Sequence, residues 1–454
     1  MIGNTFYLPG FSHLLSGSRP RTQQLAKETS ALDGLAALVA RFIPAEIFDL
    51  EDGQRSRVFP PWVTFIAFLG QVLSRGSPCR EAVRRVQAWA TANRNLVPGD
   101  NTSAYCQARS RLKVGTLREA HEELGTWFDK HQGELWCGRS VKIFDGTGLS
   151  MPDTAENRHK WPYAPNQKRG CGFPAARMVG MFCLATGHLV RFALDTLHSH
   201  EIPLARELIA WIDAGEVALV DRGFCGWGFM ALLQRKSVDV VARLHPGRST
   251  KAGRTEWKKP PRGKNGWSKS LWDELPDKLI VRLIRFRITI PGFRTQNIVL
   301  ATTLLDEKAY PDEALIRLYR RRWAVELFFR DIKTTLGMDV LRCGSPELVE
   351  KEIWMQVFGY NLIRALMLEA AWTYSVALDR LSFKGTVDTL RQWTPLLAPA
   401  MFAFKRARKE LIRVIAADQV PDRPNRHQPR ARKRRPKAYP LLTVPRRQAI
   451  AAAL

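Results

Sequence analysis

Two aspartates stand where carboxylates could hold a metal ion. Asp145 follows the apolar run 141–144 and precedes a glycine, and Asp221 follows the apolar run 217–220 and precedes an Arg-Gly pair. Both runs predict short strands that end at the aspartate, and sites in α/β sheets are built at the carboxyl ends of strands. Carboxylate oxygens suit hard divalent cations. Aspartates at strand ends are also common turn residues, so a metal site and a turn both stay open at this point.

A third acid lies in the segment 314–338, which the spacing of apolar residues predicts as one long helix ending at a glycine. Tyr319, Arg322, Glu326 and Lys333 follow one another at steps of 3, 4 and 7 residues. At about 100° per residue, their side chains point within about 60° of one another. An ion pair between Arg322 and Glu326 at i, i+4 would explain two of them. It would not explain why a phenol and a second cation share that face.

The chain that must position these residues begins with helices. Apolar residues at i, i+3, i+4 spacing recur up to about residue 130, after a loosely patterned arm. We therefore predict an N-terminal all-helical DNA-binding domain over residues 1–130. Its 101–114 segment carries Arg109 and Arg111 with few acids, which makes both candidate DNA contacts of a groove-binding helix. A solvated basic face on an ordinary helical bundle explains the same pattern equally well.

Strands and helices alternate over residues 135–400, which predicts an α/β domain. A basic segment rich in glycine and proline at 246–269 breaks the alternation, and strand-like runs follow it. These runs predict a β-rich insertion at about 245–300. Residues 401–454 form a basic C-terminal region, in which the stretch 421–440 is too rich in arginine and proline to pack a core.

The charge of the chain indicates a polyanionic partner. Its 454 residues carry 70 Lys and Arg against 43 Asp and Glu, a net charge of +27 with an isoelectric point near 10.2. Nucleic acid is the leading candidate, and an anionic membrane surface is the second. No apolar run reaches the roughly 18 residues needed to span a bilayer, and the start shows no signal peptide. The seven cysteines include no C-x-x-C pair, which predicts reduced thiols rather than a zinc site or a disulfide framework.

The pattern Tyr-x2-Arg-x3-Glu-x6-Lys resembles the YREK signature of DDE transposases of the insertion-sequence-4 family. The surroundings of the three acids are similar to that family as well. FDGTGLSMPDTAEN resembles the region of its first catalytic aspartate, LVDRGF that of the second, and YRRRWAVELFFRDIKTTLGMDVLR that of its glutamate. The resemblance extends from about residue 30 to the basic tail.

The resemblance implies a fold and a catalytic site. The fold would be an α/β ribonuclease-H-like catalytic domain, interrupted by the β-rich insertion between the second aspartate and the glutamate, together with the N-terminal helical domain. Asp145, Asp221 and Glu326 would be both the catalytic residues and the metal ligands. They would hold two Mg²⁺ ions, for which Mn²⁺ can substitute, and these ions would serve phosphodiester cleavage.

Further residues would contact DNA, again by resemblance. Tyr319, Arg322 and Lys333 would hold phosphates near the scissile bond, where an arginine suits a bidentate contact and a lysine a point-charge contact. Trp323 is a candidate for stacking on a flipped base. Three tryptophans of the insertion are alternatives for that stacking, at positions Trp257, Trp267 and Trp272.

The function that the resemblance implies is DNA transposition. The protein would bind the terminal inverted repeats of an insertion sequence as a homodimer, excise the element by cut-and-paste, and join it to double-stranded target DNA. It would act at the nucleoid in a prokaryotic cytoplasm, without a membrane partner. One alternative is a transposase-derived DNA-binding regulator, which the presence of all three acids disfavours. Another is a ribonuclease-H-like nuclease without strand transfer, which the complete four-residue face and the insertion disfavour.

Overall fold

The computed structural model describes residues 31–48, 58–164, 170–245, 251–263, 266–288, 296–397, 401–421 and 442–452. The predicted arm at the start and residues 422–440 of the basic tail lie outside these ranges. Within them, no helix has both the length and the apolar character needed to cross a bilayer. None of the seven cysteines is joined in a disulfide.

The N-terminal part is helical, as the apolar spacing predicts. The helices are α1 (Ala31–Val39), α2 (Pro61–Leu73), α3 (Cys79–Ala92), α4 (Ser103–Arg111) and α5 (Val114–Lys130). Proline begins α2, where its missing N–H costs nothing because the first amides of a helix have no partner within it.

The middle of the chain forms one mixed sheet of eight strands, which confirms the predicted α/β arrangement. In spatial order the strands run β3-β2-β1-β4-β5-β8-β7-β6. β1 pairs antiparallel with β2 and parallel with β4, and β4 pairs parallel with β5. The strands are β1 (Val141–Ser150), β2 (Ala175–Cys183), β3 (Leu189–Thr196), β4 (Val217–Val220), β5 (Asp239–Arg243), β6 (Gly253–Lys258), β7 (Lys278–Ile288) and β8 (Gln296–Thr302).

Two strand boundaries differ from the sequence prediction. β1 does not end at Asp145 but continues to Ser150, because β2 pairs with it along that whole length. In the insertion, residues 278–288 form the strand β7, and the basic segment before it contains a further strand, β6. β8 pairs antiparallel with β5, so the insertion extends the sheet of the α/β domain instead of forming a sheet of its own.

Helices cover both faces of the sheet. Ile143 and Leu219 point to one face and share a core with the N-terminal helices and with the long buried helix Pro346–Tyr374. Phe144 and Val220 point to the other face and pack with the helices Glu201–Leu208 and Trp227–Arg235. The helices after α5 are α6 (Ala155–Lys160), α7 (Glu201–Leu208), α8 (Trp227–Arg235), α9 (Lys269–Asp273), α10 (Asp312–Arg321), α11 (Ala324–Arg330), α12 (Pro346–Tyr374), α13 (Phe383–Trp393), α14 (Met401–Ala417) and α15 (Arg446–Ala451).

The helix predicted over 314–338 is interrupted. α10 ends at Arg321, α11 begins at Ala324, and a π-helical turn, Asp331–Leu336, follows α11 directly. The predicted end at Gly337 is confirmed, since this glycine has φ +92°, a left-handed conformation that costs glycine little. Short π-helical stretches inside helices are frequent at functional sites.

Gly34 lets α1 approach the turn after α13 closely. A methyl group there would overlap the carbonyl oxygen of Thr394. Gly34→Ala should therefore lower the free energy of unfolding by about 1–3 kcal/mol, the usual cost of overpacking. Gly125→Ala in α5 is the matched control, because nothing lies within 4 Å of its added methyl group. The control should gain up to about 1 kcal/mol from helix propensity. Chemical denaturation measures both, and equal effects would contradict the close approach.

Candidate active site

The register of the sheet brings the two aspartates together. β1 and β4 pair in parallel from Val141 opposite Val217 to Ile143 opposite Leu219. Continuing that register by two residues places Asp145 beside Asp221. Because side chains alternate with a period of two, both aspartates point to the face that carries α12. β4 ends at Val220, so the strand pair opens at the aspartates.

The carboxyl of Asp145 lies in a partly buried and acidic setting. Burial raises its pKa to about 6, and the neighbouring carboxylates of Glu201 and Asp221 add to the rise. A hydrogen bond from the Gly146 N–H and the guanidinium of Arg322 act in the opposite direction.

Tyr319 and Arg322 are buried beside the aspartates. Their side chains contact each other, with the Arg322 guanidinium carbon 5.9 Å from the centre of the Tyr319 ring. Burial raises the pKa of the Tyr319 phenol, and the charge of Asp221 is close enough to raise it further. Only 7% of Arg322 is exposed, and its buried Nε has no hydrogen-bond partner among the residues that the structure describes. A buried guanidinium N–H without an acceptor favours binding of an anionic ligand.

Glu326 follows Arg322 by one helical turn, in α11. Its Oε1 lies 4.0 Å from the Arg322 guanidinium, and about half of its side chain is exposed. The i, i+4 ion pair foreseen from the sequence is therefore present, at the outer limit of distance for such a pair. Trp323 is also exposed, by 55%, and its ring centre lies 5.4 Å from the guanidinium carbon of Arg322.

Lys333 lies in the π-helical turn and contacts the part of β1 that follows Asp145. Its Nζ donates hydrogen bonds to Thr147 Oγ1 at 2.8 Å and to the Gly148 carbonyl at 3.2 Å. Thr147 points to the same face as Asp145, two residues away. Tyr319 and Arg322 thus lie beside the aspartates, Glu326 contacts Arg322, and Lys333 contacts β1 beyond Asp145, although the helix that carries the four residues is not continuous.

Asp145, Asp221 and Glu326 carry the type of donor atom that a divalent cation prefers. They offer only oxygen donors, which hard cations prefer. Two of them share one face at the open strand ends, where a cation would balance the charge of Asp145. Among the described ranges, however, no three His, Cys, Asp or Glu side chains lie close enough to enclose an ion. Glu326 here pairs with a cation of the protein instead.

The remaining candidates for DNA contacts lie in different surroundings. Arg109 is buried, 7% exposed, which places it in the helical core rather than on a DNA-binding surface. Arg111 is exposed. In the insertion, Trp272 is buried and Trp257 and Trp267 pack partly buried against the same core. Trp323 is thus the most exposed of the four tryptophans considered for base stacking.

Sequence reasoning did not single out Glu201 and Arg177. Glu201 begins α7, and its Oε1 accepts a hydrogen bond from Arg177 Nη1 at 3.1 Å. Its carboxylate lies against Gly146, where an added methyl group would overlap it. No local pattern marks either residue. Their positions near Asp145 depend on the pairing of β1 with β2 and on the packing of α7 against β1.

The family of the chain follows from its sequence. A family model described as transposase DDE domain matches residues 136–362, which is half of the chain and includes β1, β4, α10 and α11. The chain belongs to this family of DDE transposases, which confirms the family resemblance stated above and with it transposition as the function.

The chain is also similar to individual proteins that are named as transposases. The transposase InsG for insertion sequence element IS4 of Escherichia coli K12 is 26% identical over 417 residues, covering 87% of this chain and 89% of the relative. The transposase for insertion sequence element IS421 of Escherichia coli is 38% identical over 65 residues, covering 14% of this chain and 18% of the relative. A cryo-EM structure of the piggyBac transposase synaptic complex with hairpin DNA aligns with a TM-score of 0.42 and 10% identity, covering 89% of this chain and 87% of that one. A TM-score below 0.5 does not establish a common fold.

Proposed function

We propose that this protein excises and inserts an insertion sequence by metal-dependent cleavage and strand transfer of duplex DNA. The observation that carries the proposal is that Asp145 and Asp221 lie in register where β4 ends, with Arg322 buried beside them and paired with Glu326, and with Lys333 on the next residues of β1. The first five strands, in the order β3-β2-β1-β4-β5, support a ribonuclease-H-like core. We further propose that the helices over 1–130 bind the terminal inverted repeats and that two copies act together, in a prokaryotic cytoplasm.

The acids would hold the catalytic cations. Asp145, Asp221 and Glu326 would hold these ions through their carboxylate oxygens. Two Mg²⁺ ions bound there would activate an oxygen nucleophile and stabilise the leaving oxygen of the phosphodiester. Mn²⁺ would substitute for Mg²⁺. Glu326 must give up its ion pair with Arg322 to take part, and an arriving phosphate would provide Arg322 with a new partner.

The cationic residues of the face would hold the DNA. Arg322 presents a buried guanidinium whose Nε lacks an acceptor, which suits a phosphate oxygen of the scissile strand. Lys333 would add a point charge beside Gly148, and the Tyr319 hydroxyl a hydrogen bond. Trp323 is exposed next to Arg322, which favours it as the side chain that stacks on a displaced base.

The proposal is tested with the purified full-length protein, Mg²⁺ and a linear duplex that carries the inverted repeats flanking its own gene. Gel analysis should show an excised fragment with hairpin ends and, with a supercoiled plasmid present, joined products. Binding of the ends without cleavage would favour a regulator instead. Cleavage without joining would favour a nuclease.

Glu326→Gln should abolish cleavage while the ends remain bound. The amide keeps the shape of the side chain but is a poor ligand for a hard cation, so we expect a loss of about 10³-fold or more. Glu313→Gln, an exposed position in α10, is the matched control and should cleave normally. Gel-shift titration measures binding in parallel, and normal cleavage by Glu326→Gln would show that the proposed ligand set is wrong.

A further inference from the structure

One edge of β1 is open over the stretch that carries Asp145. On that side β4 pairs with β1 only as far as Ile143, opposite Leu219. The next neighbour joins at Ser150, whose N–H donates to the carbonyl of Asp339. Among the described residues, no strand pairs with the intervening part of β1 on that side. A ligand can therefore lie against this edge of the strand.

Thr147 shares the face of Asp145 along this open stretch. Side chains alternate along a strand, so residues two apart point the same way and lie about 6.6 Å from each other. The register with β2 is unbroken here, with Gly180 opposite Asp145 and Met178 opposite Thr147. Both side chains are partly exposed. A strand of DNA that is cut at Asp145 would therefore pass close to Thr147.

The hydroxyl of Thr147 holds the ammonium group of Lys333. Lys333 Nζ donates to Thr147 Oγ1 at 2.8 Å and to the Gly148 carbonyl at 3.2 Å. The hydroxyl keeps its own proton when it accepts this bond, and it donates to no acceptor among the residues that the structure describes. A hydroxyl that accepts from a cation is also polarised toward donating. Thr147 and Lys333 thus present an O–H donor and a positive charge side by side.

The backbone of Gly148 adds a donor at the same edge. Along a strand, the N–H groups of alternate residues point to the same side. The Ser150 N–H points to the open side, toward Asp339, so the Gly148 N–H points there as well. Gly148 is exposed, and a glycine lets a ligand approach the backbone closely. An ammonium, a hydroxyl and an amide together suit the oxygens of a phosphate group.

We propose that Thr147 is a DNA-contacting residue of the catalytic site. Its hydroxyl fixes Lys333 and donates to a non-bridging oxygen of the phosphate next to the one cleaved at Asp145, and the Gly148 N–H donates to the same phosphate. This inference rests on the proposed function, because that phosphate belongs to the DNA strand that is cut. It gives a role in the reaction to a residue outside the Tyr-Arg-Glu-Lys pattern.

The test is binding of the full-length protein to end DNA in EDTA, with one neutral methylphosphonate placed in turn at each phosphate of the terminal helical turn. At the contacted phosphate, this change should weaken binding by the unchanged protein about 10-fold. Thr147→Val removes the hydroxyl at nearly constant shape. It should weaken binding to unmodified DNA about 10-fold and lose most of the sensitivity to that one methylphosphonate. Thr147→Ser keeps a hydroxyl and should retain both.

Thr373→Val is the matched control, an exposed threonine near the end of α12 whose hydroxyl donates to the Glu369 carbonyl. It should bind all of these duplexes as the unchanged protein does. A double-mutant cycle with Lys333→Met tests the contact between the two side chains. Thr147→Val should cost less affinity in the Lys333→Met background than in the unchanged protein, because the two groups act on one phosphate.

Binding in EDTA separates this inference from the proposed function, because it requires no cleavage. Thr147→Val that bound as tightly as the control would overturn the role of Thr147, even if the unchanged protein cut and joined DNA. Weaker binding with full sensitivity to every methylphosphonate would overturn it too, since the defect would then be structural. If the unchanged protein bound the ends without cutting them, the proposed function would fail. A loss confined to one phosphate would still support the contact.

Discussion

Asp145→Asn is expected to lower the rate of DNA cleavage by about 10³-fold or more while the protein stays folded. The structure gives Asp145 the central position, beside Asp221 in the register and within reach of the charges of Arg322 and Glu201. Losing a metal-coordinating carboxylate removes several kcal/mol of transition-state stabilisation, and each 1.36 kcal/mol is tenfold in rate. Single-turnover cleavage of end DNA in Mg²⁺ measures the effect.

The same substitution should leave the fold unharmed or slightly more stable. Burial disfavours the ionised carboxylate, and a neutral amide of equal size removes that penalty. In EDTA, the melting temperature of Asp145→Asn should equal or exceed that of the unchanged protein. Asp213→Asn, an exposed aspartate just before β4, is the control and should change neither rate nor melting temperature. A variant that lost cleavage and also melted well below the unchanged protein would show that its defect is structural.

The parts of the fold with strong local patterns were predictable. Four of the N-terminal helices, α1, α2, α3 and α5, have apolar residues at helical spacing, and the structure confirms them. Asp145 and Asp221 were recognisable because each follows a short apolar run. The end of the helical segment 314–338 at Gly337 was recognisable because glycine tolerates the left-handed conformation that ends a helix.

Features that depend on distant parts of the chain were not predictable. The length of β1 is set by its pairing with β2, which begins 25 residues after the end of β1. The predicted helix 314–338 is interrupted after Arg321, although no proline or glycine stands there. Glu201 lies against β1 only because Gly146 has no side chain to occupy that space. The residues that determine the length of β1 and the position of Glu201 are therefore far away in the sequence.

The basic helix α4 shows why charge alone does not identify a DNA contact. Arg109 and Arg111 are two residues apart, yet one is buried and the other exposed. Arg109 donates to Gln71 Oε1 at 3.2 Å and to Cys343 Sγ at 2.9 Å, and its guanidinium lies 4.5 Å from the centre of the Phe68 ring. It therefore joins the N-terminal helices to the segment that leads into α12.

Exchanging these two arginines for alanine should separate stability from DNA binding. Arg109→Ala should lower the free energy of unfolding by about 3 kcal/mol, because it removes the hydrogen bonds of a buried charged group to Gln71, Cys79 and Cys343 and leaves a cavity. Arg111→Ala should change stability by no more than about 0.5 kcal/mol. If Arg111 contacts a phosphate, its loss should weaken binding to all duplexes alike and reduce the dependence of log K on log salt by about one unit. Urea denaturation and salt-dependent binding titrations measure the two effects, and a stable Arg109→Ala with weakened DNA binding would place Arg109, rather than Arg111, at the DNA.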